Sequence, residues 1–279
     1  RPPRATLFPY TTLFRSGSWV LGIHIADVSE FIKMGSPLDK EANQRGNSTY
    51  LPGKVIPMLP EILSNGICSL WPEQKRFVKS VYITYDAQGN VQGSEFANSI
   101  IKSTARLTYL QADGILKGNA KGFDGAVVAL LKDMEILSKA IEQRRFKKGM
   151  LHLDLPDKEL VRDEQGKVID VVDADTSYPH TMIEMFMVEA NEVVAALLDR
   201  FNVPFMRRIH PEPDKNNSRK MGDFVKICGL KIPRNLDRKI IQDLLEAVKG
   251  KPYSFAINIY ILRSRSEERR VGKECRSRW

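Results

Sequence analysis

Residues 45–70, RGNSTYLPGKVIPMLPEILSNGICSL, place the tightest limit on what this chain can fold into. Three prolines (Pro52, Pro57, Pro60) and three glycines (Gly46, Gly53, Gly66) interrupt the stretch. Proline lacks an amide donor and clashes with a preceding turn, and glycine weakens a strand interior, so neither a helix nor a central strand fits. Yet Val55, Ile56, Met58, Leu59, Ile62, Leu63, Ile67 and Leu70 are too apolar for a solvated loop. A segment both irregular and apolar is expected to be held against a core by its neighbours. Such segments are either buried connectors or walls of a functional surface. The residues alone leave both open.

Around that stretch the regular elements are legible by period. Ser18–Ile25 is an apolar, β-prone strand with Asp27 just past its end. Ser36-Pro37-Leu38-Asp39 starts a short helix, with serine as cap and proline in the first turn, and Gly46 stops it. Phe77–Asp86 and Val91–Ser103 read as antiparallel partners across the turn 87–90. Gly125–Lys148 and Pro179–Phe201 are helices, the latter with a stripe of Ile183, Phe186, Met187, Ala190, Val193, Val194 and Leu197. Met150–Leu155 and Glu159–Val172 suggest a hairpin around Pro156-Asp157, with a second turn at Glu164-Gln165-Gly166. Lys215–Gly222 and Asn235–Lys249 suggest two more helices. Strands and helices do not alternate regularly, which favours an α+β fold with a mixed or antiparallel sheet and packed helices.

Charge is less informative than its total. The chain carries +9 over 279 residues, which points toward nucleic acid. Residues 1–16 hold three arginines and no acid, and residues 265–279 hold six basic and three acidic residues, so 17–264 carry only +3. Both ends lack a hydrophobic period, and TLFPYTTLFRS and SEERRVGKECRSRW read like translated sequencing-adapter sequence. They are expected to be artefactual and disordered, flanking one domain at 17–264; a basic RNA-binding tail at each end is the alternative. No apolar run approaches the ~20 residues needed to span a bilayer. Cys68, Cys228 and Cys275 show no ligand or disulfide spacing, which fits a reducing, cytoplasmic setting. No feature calls for an obligate protein partner.

Several residues carry candidate chemistry. His180 and Glu184 share a helix face, the spacing of a joint ligand site or of a helix-start histidine beside a solvated glutamate. Asp170, Asp173 and Asp175 form an acidic group before that helix, suited to a metal or to a turn and a helix N-terminus. Tyr50, Tyr109 and His152 lie at element ends, where flat side chains either stack on bases or pack locally.

The motifs LGIHIADVSEFIKMGSPLDKEANQRGNSTYLPGKVIPMLPEILSNGICSL, ARLTY (105–109), LHLDLPDKELV, HTMIEMFMVEANEVVA and FMRRIHPEPD resemble the catalytic RNB domain of the ribonuclease II/ribonuclease R family, nearer its ribonuclease R branch. The resemblance covers nearly all of 17–264. It implies a processive 3′→5′ exoribonuclease that threads single-stranded RNA and releases nucleoside 5′-monophosphates by Mg²⁺-assisted hydrolysis. Residue by residue, it implies that Tyr50 stands beside the terminal nucleotide, that Tyr109 lines the RNA path, and that Glu184 positions the terminal nucleotide. His152 takes the place of a phenylalanine that closes the base stack in some members. The stretch 45–70 becomes one wall of an RNA channel. Asp27 does not match a metal-ligand position and is expected to act behind the metal at most.

Two family motifs have no counterpart here. The metal-binding DxxxxxDxDDA pattern precedes the strand that starts at Ser18, where this chain has RPPRATLFPYTTLFRS. The arginine motif SPIRRYxD and the flanking cold-shock and S1 domains are also missing. The expectation is therefore an internal fragment of a Mg²⁺-dependent enzyme, itself inactive and without metal ligands. A catalytically dead homologue serving as an RNA-binding or scaffold module is the alternative.

Overall fold

A computed structural model describes residues 5–7, 10–15, 17–51, 53–155, 158–206, 215–230 and 237–265. In chain order the strands and helices are β1 (Ala5–Leu7), β2 (Tyr10–Arg15), β3 (Ser18–Ala26), α1 (Pro37–Arg45), β4 (Thr49–Leu51), β5 (Lys54–Ile56), β6 (Lys75–Asp86), β7 (Val91–Lys102), β8 (Arg106–Thr108), α2 (Tyr109–Leu116), α3 (Gly125–Lys147), β9 (Lys158–Arg162), β10 (Val168–Asp173), α4 (Tyr178–Arg200), α5 (Lys215–Ile227), α6 (Arg238–Val248) and α7 (Ser254–Arg265). The fold is α+β. The described residues fall into two compact units. One is built from Arg1–Arg144, Arg162–Ile169 and Asp175–Val203, the other from Arg145–Val161, Asp170–Ala174 and Pro204–Trp279.

The first unit centres on an antiparallel sheet of strand order β2-β3-β6-β7. Its register sets Trp19 opposite Tyr85, Leu21 opposite Ile83 and Ile23 opposite Val81. All six side chains are buried, as alternation on a half-covered sheet demands. The opposite face carries the pair His24 and Ser80, joined at 2.8 Å between Nδ1 and Oγ. Burial lowers the His24 imidazole below its ordinary range. Helix α4 lies against β3 and α2 against α4. The turn between β6 and β7 closes on α3, where a Cβ on Gly89 would stand 2.9 Å from the Ala140 carbonyl carbon.

The second unit has its own core of Met221, Val225, Ile241, Leu244, Leu245, Val248, Ile257 and Ile261, drawn from α5, α6 and α7, with Leu151 and Leu153 packed on it. Gln242 is 2% exposed and donates to the carbonyls of Phe146 at 2.8 Å and Met150 at 3.0 Å.

The structure revises several expectations. Met150–Leu155 is not a strand: Leu151 and Leu153 pack on the core, and the Asp154 amide donates to Asn258 Oδ1 at 3.0 Å instead of to a ladder. The hairpin forms instead at the second expected turn, Glu164-Gln165-Gly166, joining β9 to β10, with Asp163 Oδ1 accepting from the amides of Gln165 and Lys167. Helix α6 is capped by Asp237, which accepts from the Ile240 amide at 2.8 Å; Asn235 lies outside the described residues. On α4, Ile183, Phe186 and Ala190 of the expected stripe are buried, but Met182 and Met185 join them while Met187 is 53% exposed, so the buried face is shifted to one side of the one read by period. Helices α2 and α7 were not expected.

Residues 1–16 were expected to stand outside any element, yet Tyr10–Arg15 pairs with β3 and Ala5–Leu7 with β8. A ladder is formed by backbone amides and carbonyls and is open to any extended segment beside a free edge. The pairing therefore bears on where this segment lies, not on its origin. Residues 266–279 lie outside the described residues.

The opening stretch also differs from expectation. Only Leu63 and Leu70 are buried, at 8% and 6%, whereas Val55, Ile56, Ile62 and Ile67 are exposed. Polar side chains hold the segment instead of apolar packing. Arg45 Nη1 donates to the Pro57 carbonyl at 3.1 Å, and Ser48 Oγ accepts from the Met58 amide at 2.9 Å. Arg76 Nε donates to the Ser69 carbonyl at 2.8 Å, and Trp71 Nε1 to that of Asn65 at 3.1 Å. Ile62–Ile67 winds as one π-helical turn, closed by the Cys68 amide on the Leu63 carbonyl at 2.9 Å, a wide turn that recurs at functional sites.

Candidate nucleic-acid interface

Tyr50 sits in β4, paired with Val55 of β5. Its ring is 71% exposed. Arg45 and Ser48 grip the chain on either side of this hairpin, through Pro57 and Met58, so the exposed tyrosine stands on a tethered base. The turn at Gly53 has φ +81° and faces the Arg162 guanidinium, which would lie 2.8 Å from a Cβ there.

Tyr109 opens α2. Its backbone is set by a capping box: Thr108 Oγ1 accepts from the Gln111 amide at 3.2 Å, and Gln111 Oε1 accepts from the Thr108 amide at 2.8 Å. Two orphan amides of the helix start are thereby satisfied. The phenol ring stacks on His180 of α4, with centroids 3.5 Å apart and planes inclined by 21°. His180 Nε2 in turn lies 3.2 Å from Asp175 Oδ2. Burial works to raise the Asp175 carboxyl, but hydrogen bonds from the Ser177 amide and hydroxyl and from His180 outweigh it and hold it below the usual range.

Glu184 is one helical turn past His180 and exposed. His180 is engaged by Asp175 and stacked on Tyr109. His152 is exposed and belongs to the second unit. The structure thus brings Tyr109 together with the start of α4, and presents Tyr50 on a separate hairpin.

Asp27 is buried and pairs with Lys79 Nζ at 2.8 Å, with Ser29 Oγ donating at 2.5 Å. Those bonds, Lys79 first, keep its carboxyl below the ordinary aspartate range. Of the acidic group before α4, Asp173 pairs with Lys158 at 2.5 Å and Asp170 accepts from the Val171 amide at 2.7 Å. Among the described residues no three His, Cys, Asp or Glu side chains converge as a metal centre. The described donors therefore do not fit a Mg²⁺ site, and their carboxylates serve as partners to Lys79, Lys158 and His180.

Sequence reasoning missed the role of His180 toward Tyr109, a contact between distant chain positions. It also missed the buried carboxylate Glu189, which accepts from Tyr85 and Arg144. Glu189 has only an acidic residue inside an apolar helix face as its signal.

An antiparallel sheet of order β2-β3-β6-β7 with helices packed against it places the chain in the α+β class. The RNB domain model matches residues 9–274, and the chain belongs to the RNB domain family. Ribonuclease R 1 of Lactococcus lactis is 34% identical over 259 residues, which is 91% of this chain and 32% of that protein. Ribonuclease R of Thermotoga maritima is 35% identical over 253 residues, 89% of this chain and 36% of that protein. The solved structure of Mycoplasma genitalium RNase R in complex with ribose methylated single-stranded RNA matches with a TM-score of 0.88 and 32% identity, covering 92% of this chain and 41% of that one. The chain spans about a third of the length of the curated relatives it matches. No helix among the described residues is long and apolar enough to cross a membrane.

Proposed function

We propose that this chain is a segment of the catalytic domain of an RNase R-type 3′→5′ exoribonuclease acting on single-stranded RNA in the cytoplasm, with Mg²⁺ as the whole enzyme's metal. The observation that carries this reading is the match, over 92% of the chain, to a relative solved with single-stranded RNA. The exposed ring of Tyr50, the stacked ring of Tyr109 and the exposed carboxylate of Glu184 suit an RNA path: flat side chains take any base by stacking, and the carboxylate offers acceptors to a ribose hydroxyl. His152 is the fourth contact in this reading. Asp27 has no direct part, because its oxygens are taken by Lys79 and Ser29.

The polypeptide as given binds RNA without hydrolysing it. Residues 1–16 contain no acid where the family carries its metal-binding aspartates, and SPIRRYxD does not occur in the chain. A strand that positions no carboxylate has nothing with which to hold the ion that activates water and offsets phosphate charge. The purified chain, mixed with a 3′-tailed single-stranded RNA and Mg²⁺, should retard the RNA in a native gel and leave its length unchanged. A ladder of shortened products would overturn the inactivity, and no retardation would overturn the RNA path. Residues 1–16 and 265–279 are proposed to be foreign to the gene. Genomic DNA read across codon 17 should reveal a DxDD-encoding stretch; an uninterrupted gene encoding the present residues would instead favour a catalytically dead homologue.

A further inference from the structure

We propose that His180 is a positioning residue for Tyr109, and that the two rings work as one platform presenting a single tyrosine face to a base. The proposal rests on Tyr109 lying in the RNA path. A phenol at the first position of a helix has two side-chain torsions free to swing. Here one face of the ring is covered at 3.5 Å by the His180 imidazole, nearly parallel to it. Among the described residues no other ring stacks on Tyr109. The imidazole is itself fixed. Its Nε2 is 3.2 Å from Asp175 Oδ2, and the same carboxylate accepts from the Ser177 amide at 3.0 Å and hydroxyl at 3.1 Å, at the very start of α4. The backbone on the other side is locked by the Thr108–Gln111 capping box. The arrangement therefore runs from a helix start, through a carboxylate and an imidazole, to a phenol whose remaining face is the only one left for stacking.

Ordering a side chain before the ligand arrives removes that entropic cost from binding, and a backed ring offers a base a surface already aligned. His180 touches no RNA in this scheme; it acts through Tyr109. Glu184, one turn along the same face of α4, is carried on the same rigid support.

The test is the affinity of the full chain for a fluorescein-labelled oligoadenylate, read by anisotropy in the absence of added metal. Tyr109→Ala and His180→Ala should each weaken binding by about fivefold, the size of one modest base stack. The double variant should bind no worse than either single one, since the platform is lost only once. His180→Phe keeps a flat ring without the bond to Asp175 and should recover most of the affinity that His180→Ala loses. Should His180→Ala fail to fold, Asp175→Asn, which keeps both rings and loosens the anchor, takes its place with a smaller loss expected. Wild-type affinity of His180→Ala beside a weakened Tyr109→Ala overturns the proposal and leaves the RNA path standing, as does additivity in the double variant or no recovery with phenylalanine. Wild-type affinity of Tyr109→Ala overturns the RNA-path reading itself.

Discussion

The phenol of Tyr85 on β6 donates to the carboxylate of Glu189 on α4 at 3.1 Å, across 104 chain positions. The second carboxylate oxygen accepts from Arg144 of α3. One acid, 1% exposed, therefore ties together the sheet and two helices of the first unit. Burial, followed by the nearby Glu189 charge, raises the Tyr85 phenol far above its ordinary value, so it stays a donor throughout the working pH range. Tyr85→Phe removes one donor from a buried acceptor and should cost about 1–3 kcal/mol in urea unfolding. Arg144→Met takes the cation from a buried carboxylate and should cost about 3–5 kcal/mol. Adding Glu189→Met to Arg144→Met should restore part of the loss, because apolar groups then replace both charges. Unfolding midpoints of the three variants check the order; an Arg144→Met protein as stable as wild type would refute the tie.

Asp27 sets an acid-side dependence. Lys79, then Ser29, hold its carboxyl below the ordinary aspartate value of 3.8. The folded state thus binds this proton less readily than the unfolded chain. The stabilisation is complete above the unfolded value and is lost as pH falls through the folded one. Urea midpoints taken from about pH 5 downward should fall more steeply for wild type than for Asp27→Asn, which cannot titrate. Parallel curves would remove Asp27 from the acid response.

Gln242 plays the corresponding structural part in the second unit. Its amide donates to the carbonyls of Phe146 and Met150, and its own oxygen accepts from Lys239 Nζ at 3.1 Å. The carbonyl of Phe146 belongs to the last turn of α3 and accepts also from the Gly149 amide at 2.9 Å. Gln242→Leu fits the volume, strips the Met150 carbonyl of the Gln242 donor and leaves that of Phe146 with the Gly149 amide, for a cost of about 1–3 kcal/mol. Amide exchange at residues 148–151 should quicken with it. Unchanged exchange there would show that water serves those carbonyls equally well.

Local signals account for what the sequence disclosed. Ser36, Pro37 and Gly46 bound α1 because a cap, a preset φ and a left-handed terminus are each chosen by one residue. The β6–β7 pair was readable because its strands alternate and are adjacent in sequence. Helix α2 was hidden by its eight-residue length, although Thr108 and Gln111 spell its capping box. Helix α7 was hidden because its buried side is narrow, resting on Ile257, Asn258 and Ile261. Tyr109 and Tyr50 were singled out by family motif, but the stack of Tyr109 on His180 is a tertiary contact with no local signature. The stretch 45–70 misled for a related reason: its apolar residues suggested burial, whereas arginine and serine side chains bonded to its backbone hold it in place.

Two glycines separate backbone strain from close packing. Gly89, in the turn that Asp86 organises by accepting from the Gln88 and Asn90 amides, has φ +76°, and Gly166, in the β9–β10 turn, has φ +81°. Either position strains an L side chain by roughly 1–2 kcal/mol. Around Gly166 a Cβ meets nothing within 4 Å, while at Gly89 it would stand 2.9 Å from the Ala140 carbonyl carbon and 3.0 Å from the Ile141 amide nitrogen. Those neighbours are helix backbone and cannot rotate away as a side chain would. Gly166→Ala should therefore show the strain alone, and Gly89→Ala the strain plus displacement of the turn from α3. Both glycines belong to the first unit, so their unfolding midpoints are comparable. Gly89→Ala should be the less stable by at least about 1 kcal/mol, in the range of overpacking a tight contact. Equal losses in the two variants would mean that the turn shifts off α3 at no cost, and that the close approach at Ala140 contributes nothing to holding the sheet against the helix.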